Sequence, residues 1–589
     1  MSDAKSDSTL FRRPLWFYIK NNPRAFSLGM LFLLITNALD SLYPLVMKLA
    51  LDQIEARAGM NDITKTCLIF FSLMAGLAAT RYGWRIFFGQ FHTYAMEHIR
   101  QKIFRHLTSL GPNFFQKSQV GELMSLMTND VQSFRQAIGP GVLILADGVS
   151  LVALVLPIMI MMNWEWTWKV LIFLPLVPLL IWKVMKLIHE NYKLQQDRFS
   201  ELTGVAQETI GGIRVIKSFA QEENRIQVFN SISRAFENAC NRVARVDAMF
   251  IPVMEFGITS GSVILLFVAK DDVFSGAATI GTFVAFHRYI QKMVWPMTAL
   301  GMGVSFVQKG YASFGRIKDV LQTETDIPDT GTEVLSEFKK LEFRNVSFRY
   351  PGSNVYSLKN ISFVLQRGES LGVMGPVGAG KTTLLHLLTR LYPLQEGQIF
   401  INDILIENIT QESLRKTFLL IPQEAFLFSE TVVENVSFGL PDRTTQEEVK
   451  RITDIVDLSR EIDSLPMKFE AQLGERGVNL SGGQKQRLTI ARGLIMRTPV
   501  LILDDSLSAV DTKTEKAIEK ELAKDSDSFT RIIVAHRLSS LKTVNKLMIL
   551  KDGSIEAFGS FDHVREVSPT FQRTLQIQGS DHSEGAAHE

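Results

Sequence analysis

The sequence predicts a membrane α-helical domain of six spans followed by a soluble α/β domain. Three observations carry this. At 589 residues the chain is too long for one core. Hydrophobic residues make up 46% with 40 Phe, and their long apolar runs lie in the first half. In the second half a strand-like run ends in a glycine-rich G-x-x-x-x-G-K-[ST] segment that opens a helix.

Met1 to Trp16 is polar, with Asp3, Lys5 and Asp7, and has no short apolar core followed by a cleavage signal. The first apolar run is therefore expected to be a retained span. Stretches of about 20 residues, enough to cross a bilayer, start near Ala25, Ile63, Ala137, Trp168, Val246 and Ile280. Six crossings put both ends on one side. Arg12, Arg13, Lys20 and Arg24 precede span 1, and the connections after spans 2 and 4 carry Arg100, Lys102, Arg105, Arg198, Arg214, Lys217 and Arg225. The positive-inside tendency places these parts, and both termini, in the cytoplasm.

The other connections, around Glu55 to Asp62, Asn163 to Thr167 and Lys270 to Thr279, are very short. The two cytoplasmic ones are about 45–50 residues long with helical patterning, too regular for loops. They read as membrane helices continued past the bilayer. Each has a glycine-marked break, at Val120-Gly121-Glu122 and at Gly211-Gly212. A short transverse helix facing a second domain and an ordinary interhelical turn both fit that pattern.

Charges inside spans are costly and mark candidate sites. Arg81 and Arg85 in span 2, Asp147 in span 3 and Glu255 in span 5 form a candidate cavity, with pairing across the bundle and substrate contact both open. Span 6 carries Phe283, Phe286, Tyr289, Met293, Trp295 and Met302. Such adaptable apolar side chains suit either a promiscuous pocket or plain helix packing. A net charge of +2 without a basic block argues against a nucleic-acid partner. Cys67 and Cys240 stand alone, without disulfide or metal spacing.

The domain boundaries expected are 1–320 for the membrane domain, 321–339 for a polar linker, 340–578 for the soluble domain, and 579–589 for a small polar tail without fixed structure. In the soluble domain Leu371-Gly372-Val373-Met374 leads into Gly375, Pro376, Val377, Gly378, Ala379, Gly380, Lys381, Thr382 and Thr383. Glycines let backbone N–H groups curl around phosphates at a helix N-terminus, Lys381 reaches the β/γ-phosphates, and the Thr382 hydroxyl suits Mg²⁺. Further on come Leu480 with Ser481, Gly482, Gly483 and Gln484, and about 20 residues later the apolar run Val500 to Leu503 ends in Asp504 and Asp505.

At these residues the chain resembles the ATP-binding cassette (ABC) superfamily, and in particular its type IV exporter half-transporters. The resemblance covers nearly the whole chain and implies an α/β P-loop ABC ATPase domain with ATP and Mg²⁺ as cofactors. It implies that Tyr350 stacks on adenine, that Gln423 senses the γ-phosphate and Mg²⁺, that Asp504 joins Thr382 in the Mg²⁺ shell, and that His536 contacts the γ-phosphate. Ser508-Ala509-Val510-Asp511 would link two sites, and Gly474-Glu475-Arg476-Gly477 would meet the membrane helices. The usual Thr-Glu-Val before that last segment is here Ala471-Gln472-Leu473.

In this superfamily each ATP lies between one chain's phosphate loop and the other's Ser-Gly-Gly, so one copy of each motif implies a dimer. Asp505 stands where the resemblance expects a glutamate as general base. The chain is therefore expected to hydrolyse slowly at its own site and to complete the site of a different partner. The arrangement around Ile421, Leu480 and Ser508 is similar to the Mdl-type multidrug half-transporters. It implies a heterodimer in the bacterial inner membrane, in contact with membrane lipid, exporting hydrophobic or amphiphilic small molecules. A dedicated lipid flippase and an ATP-gated channel or regulator are the alternatives.

Overall fold

The computed structural model describes residues 9–172, 176–440, 444–474, 477, 479–508, 510, 512–523 and 529–585. The chain divides into two compact units. One comprises residues up to Thr108 with Val120–Thr323, the other Ser109–Gln119 with the residues from Glu324 onward.

Among the described residues the first unit has six long helices: α1 (Pro23–Glu55), α2 (Met60–Ser109), α3 (Val120–Met162), α4 (Leu176–Gly211), α5 (Glu222–Phe274) and α6 (Ile280–Leu321). Among the described residues α1, α2, α3 and α5 are long and apolar enough to cross a membrane. α4 opens beside residues outside the described set. In α6 the apolar run is interrupted by His287, Arg288 and Lys292. Local chemistry sets the helix starts. Pro23 fixes φ at the first position of α1, and the Thr279 hydroxyl accepts from the Thr282 N–H at 3.1 Å to cap α6.

Between the helices the core is formed by Leu151, Val155 and Met159 of α3, Leu265 and Ala269 of α5, and Phe286, Tyr289, Ile290 and Met293 of α6. Burial of this kind is worth about 1.5–3 kcal/mol per large side chain against water, but against lipid it is shape and hydrogen bonding that select the packing. The Tyr289 hydroxyl donates to the Ser41 carbonyl at 2.6 Å, and the Trp166 indole N–H donates to Asp272 at 2.7 Å. Of the span-6 side chains, Phe286, Tyr289 and Met293 are therefore packing residues, while Trp295 stays 44% exposed. Two π-helical segments, Leu126–Asp130 and Ala137–Gly141, interrupt α3. Asp130 pairs with Arg316 of α6.

The glycine-marked breaks resolve differently. Gly211 ends α4, and a short helix Ile213–Ser218 follows. In the first connection the short helix is Pro112–Lys117, upstream of the expected position. Gly121 sits inside the first turn of α3, because Pro112 can start a helix and Ser118 is extended.

Among the described residues the second unit holds two sheets. β1 (Lys340–Phe348), β2 (Leu358–Gln366), β4 (Glu396–Ile401) and β5 (Ile404–Leu405) form an antiparallel sheet in the order β2-β1-β4-β5. The larger sheet runs β10-β9-β3-β8-β7-β6, from β3 (Ser370–Met374), β6 (Phe418–Ile421), β7 (Val500–Asp504), β8 (Thr530–Val534), β9 (Lys546–Lys551) and β10 (Ser554–Gly559). β9, β3, β8, β7 and β6 are mutually parallel. Every residue of β3 and of β7 is buried, as expected for strands covered on both faces. The segment expected to be a linker is pinned to this unit. Arg390 donates to the carbonyls of Ile409 at 2.7 Å and Pro328 at 3.1 Å, and Gln411 donates to the Ile327 carbonyl at 2.6 Å. The last helix, Pro569–Gly585, passes through Gly579, where the sequence predicts loss of structure. Elongation of a nucleated helix adds one hydrogen bond per residue fixed, so polar residues can continue it. Residues 586–589 lie outside the described set.

Candidate functional site

Parallel strands leave a crevice beyond their carboxyl ends, and that is where ligands bind in open α/β sheets. The expected nucleotide residues fall there: Gly375 to Thr383 follow β3, Gln423 follows β6, Asp504 and Asp505 close β7, and His536 follows β8. The phosphate loop enters helix α7 (Lys381–Leu388). Gly378 and Gly380 have φ of +81° and +96°, and a Cβ at Gly380 would run into the Ser357 carbonyl oxygen. Glycine is thus required to turn the backbone into the α7 N-terminus, whose free N–H groups favour an anion.

Lys381 is buried and folds back over this loop, its Nζ donating to the carbonyls of Gly375 at 2.8 Å and Pro376 at 3.0 Å. Burial pushes its pKa down, and the nearby Asp504 and Asp505 oppose that shift. The Thr382 hydroxyl lies 3.3 Å from Asp504 Oδ1. Burial raises the Asp504 pKa, with the Thr382 hydrogen bond lowering it and Asp505 raising it further. Mg²⁺ prefers hard oxygen ligands and usually completes its shell with water and substrate phosphate. One hydroxyl beside one carboxylate fits that habit. Among the described residues no cluster of three or more His, Cys, Asp or Glu offers a full protein cage.

Asp505 is held in the left-handed region at φ +46°, its N–H bonded to the Val534 carbonyl at 2.9 Å. Its Oδ2 lies 3.4 Å from Gln423 Nε2, a long hydrogen bond between the ends of β7 and β6. Ser508 Oγ donates to the Asp505 carbonyl at 2.8 Å. His536 is exposed and lowers the Asp504 pKa electrostatically. Tyr350 is half-buried, its hydroxyl 3.1 Å from Thr383 Oγ1, its ring edge-on to Phe348 and Tyr392. Gln116 of the short helix Pro112–Lys117 donates to the Tyr392 hydroxyl at 2.7 Å, a neighbour of Tyr350 that no motif flagged.

Ser481 caps helix α8 (Gly482–Leu494) in a reciprocal box with Gln484. Among the described residues no hydrogen bond joins Ser481, Gly482, Gly483 or Gln484 to the chain's own phosphate loop. Glu475, Arg476, Ala509 and Asp511 lie outside the described residues.

In the first unit a cavity of about 300 Å³ is walled by α1, α2, α3 and α6 and includes Arg81 and Asp147. The other two charges expected there do not line it. Arg85, exposed, lies over the Trp84 ring, and Glu255 is exposed on α5, which contributes no wall. Asn37, Asp40 and Trp295 line it instead. Asp40 and Lys292 carried the same signal as Arg81, a charge within an apolar run, and were readable on that ground.

Sequence comparison agrees with this fold. The chain matches the ABC transporter transmembrane region over residues 26–297 and the ABC transporter family over residues 358–508. It belongs to the ABC transporters, as an integral membrane exporter with a transmembrane helical domain and an ATP-binding P-loop domain. Among its relatives, the multidrug resistance-like ATP-binding protein MdlA of Buchnera aphidicola subsp. Schizaphis graminum is 35% identical over 559 residues, 94% of this chain and 95% of that protein. MdlA of Escherichia coli K12 is 33% identical over 97% of this chain and 96% of its own length. An ATP-dependent lipid A-core flippase of Desulfotalea psychrophila is 30% identical over 94% and 96%. A bacterial Atm1-family ABC exporter solved with ATP bound shares the fold at a TM-score of 0.77, with 22% identity over 94% of this chain and 99% of that one.

Proposed function

We propose that the chain is one half of a heterodimeric exporter that moves hydrophobic or amphiphilic compounds out through the bacterial inner membrane, and that its own ATP site hydrolyses slowly. The observation that carries this reading is the state of the nucleotide residues: Lys381, Thr382, Asp504, Gln423, His536 and Ser481 to Gln484 are all present, and one acid, Asp505, is short. Aspartate lacks one methylene of glutamate, about 1.5 Å of reach, and a general base must lie within about 2.6–3.2 Å of the proton it takes. Loss of function by decay would be expected to strike several of these groups. Alteration of one alone favours division of labour between two unlike sites.

In this reading the α7 N-terminus and Lys381 hold the phosphates of ATP, and Tyr350 turns from Thr383 to meet adenine. Thr382, Asp504 and Gln423 would hold Mg²⁺, which supplies charge neutralisation at the β/γ-phosphates. His536 contacts the γ-phosphate, and Asp505 orders the attacking water without drawing its proton well. Ser481, Gly482, Gly483 and Gln484 serve the partner's nucleotide. Both termini lie in the cytoplasm, by the distribution of Lys and Arg. The cavity holding Arg81 and Asp147 receives the cargo.

A second reading, lipid translocation, is favoured by the 30% identity to the lipid A-core flippase. Reconstitution in vesicles with whichever ABC chain co-purifies tests both. Stimulation of ATP turnover by hydrophobic drugs supports the first reading. Stimulation by one lipid class and by no drug supports the second. Failure of any second chain to co-purify, with full turnover by this chain alone, contradicts the heterodimer.

A further inference from the structure

The cavity of the first unit has an uneven distribution of charge. Asp40 accepts from Arg81 at 3.5 Å and also pairs with Lys292. Both bases therefore fall on one acid. Asp147, in the wall of the same cavity, has none: its Oδ1 accepts from Asn37 Nδ2 at 3.0 Å and its Oδ2 from the Trp295 indole N–H at 2.9 Å, and among the described residues it forms no ion pair.

Ionisable groups at membrane depth are expensive and are normally paired. Two neutral donors orient a carboxylate but do not cancel its charge. Each oxygen keeps capacity for a further donor or cation, because an ionised carboxylate offers about four acceptor positions for the two now used. The surroundings narrow the choice of cation. Trp84, whose ring Arg85 overlies, and Trp295 line the cavity with Leu33, Ile144 and Leu151, and such aromatic and aliphatic walls suit the apolar groups of an organic cation. A divalent metal would need several more oxygens than Asp147 and its neighbours supply. An anion would meet Asp147 directly, while Arg81 and Lys292 are already shared by Asp40.

We propose that Asp147 is the charge-reading residue of the cargo cavity, the counter-ion for an amphiphilic organic monocation whose apolar groups lie against Trp84 and Trp295. This rests on the reading of that cavity as the cargo site. Asn37 and Trp295 are positioning residues, holding the carboxylate towards the cavity in the absence of cargo.

The test is equilibrium binding of tetraphenylphosphonium and of neutral triphenylphosphine oxide to the full chain in lipid nanodiscs, with any partner that co-purifies, for wild type, Asp147→Asn and Asp147→Glu. Asp147→Asn is expected to weaken tetraphenylphosphonium about tenfold or more and Asp147→Glu by less than about threefold, with triphenylphosphine oxide unchanged in both. Cation binding that survives Asp147→Asn within about twofold overturns the proposal. Equal loss of both compounds in Asp147→Asn assigns a purely structural role and overturns it too. Wild type that binds only the neutral compound overturns the charge assignment and leaves the export reading standing. Wild type that binds neither removes the cargo cavity itself.

Discussion

Gln423 Nε2 and Asp505 Oδ2 lie 3.4 Å apart although 82 residues separate them in sequence. The contact spans the carboxyl ends of β6 and β7, neighbouring parallel strands. Under the proposed function these two groups handle the attacking water, and their separation is at the long end of hydrogen-bond range.

Gly380→Ala should abolish ATP binding. Its φ of +96° lies where L residues are strained, and the new Cβ would meet the Ser357 carbonyl. The strain alone is about 1–2 kcal/mol, and relief would displace the α7 N-terminus. Equilibrium binding of a fluorescent ATP analogue checks this, with Gly59→Ala, which faces open space, as the tolerated control.

Thr382→Ala should raise the Mg²⁺ concentration needed for tight ATP binding by about 10–100-fold. Binding of ATP without Mg²⁺ should change much less. A Mg²⁺ titration at fixed ATP separates the two, and a uniform loss at all Mg²⁺ levels would place the hydroxyl outside the metal shell.

Asp504 carries a pH dependence of defined sign. Its folded pKa is raised by burial above the ordinary 3.8. The nucleotide-free folded state therefore holds the proton more tightly than the unfolded chain. Stability from this group is fully present below the unfolded pKa and is lost as pH rises through the folded one. Asp504→Asn should accordingly raise the thermal midpoint of the nucleotide-free protein at neutral pH while removing Mg²⁺-dependent turnover. A lowered midpoint would mean that the ionised carboxylate is stabilising in the resting state.

Asp40→Ala should be more damaging than Asp147→Asn. It strands Arg81 and Lys292 together, and breaking a desolvated pair costs about 3–5 kcal/mol, less here because Arg81 is half exposed. Thermal unfolding in detergent measures the difference. Lys292→Met in the Asp40→Ala background should recover part of the loss.

The two-part architecture was legible because its signals are local. An apolar run of bilayer length and a glycine loop between strand and helix need no tertiary information. Lys381 and Thr382 are readable in the same way, whereas Asp504 and Gln423 come only with the family resemblance; the parallel order β3-β8-β7-β6 explains why segments so distant converge. The cavity was half legible. Arg81 and Asp147 line it but Arg85 and Glu255 do not, because a charge within a span says nothing of which helix it faces. Gly121 marks the first turn of α3 and not the short helix, which is Pro112–Lys117. Proline at a first turn was the stronger signal. Gln116 and Tyr392 could not have been paired from sequence, since 276 residues separate them and neither belongs to a motif.

The central claim is that Asp505 alone holds back the chain's own site. The most direct measurement is steady-state ATP turnover of the purified chain, without a second ABC chain, for wild type, Asp505→Glu and Asp505→Asn. General-base catalysis is typically worth about 10²–10⁴-fold. Slow turnover in wild type, a rise of at least about tenfold in Asp505→Glu and little change in Asp505→Asn are predicted, with ATP affinity alike in all three. Brisk wild-type turnover that Asp505→Asn abolishes and Asp505→Glu fails to raise would contradict the account.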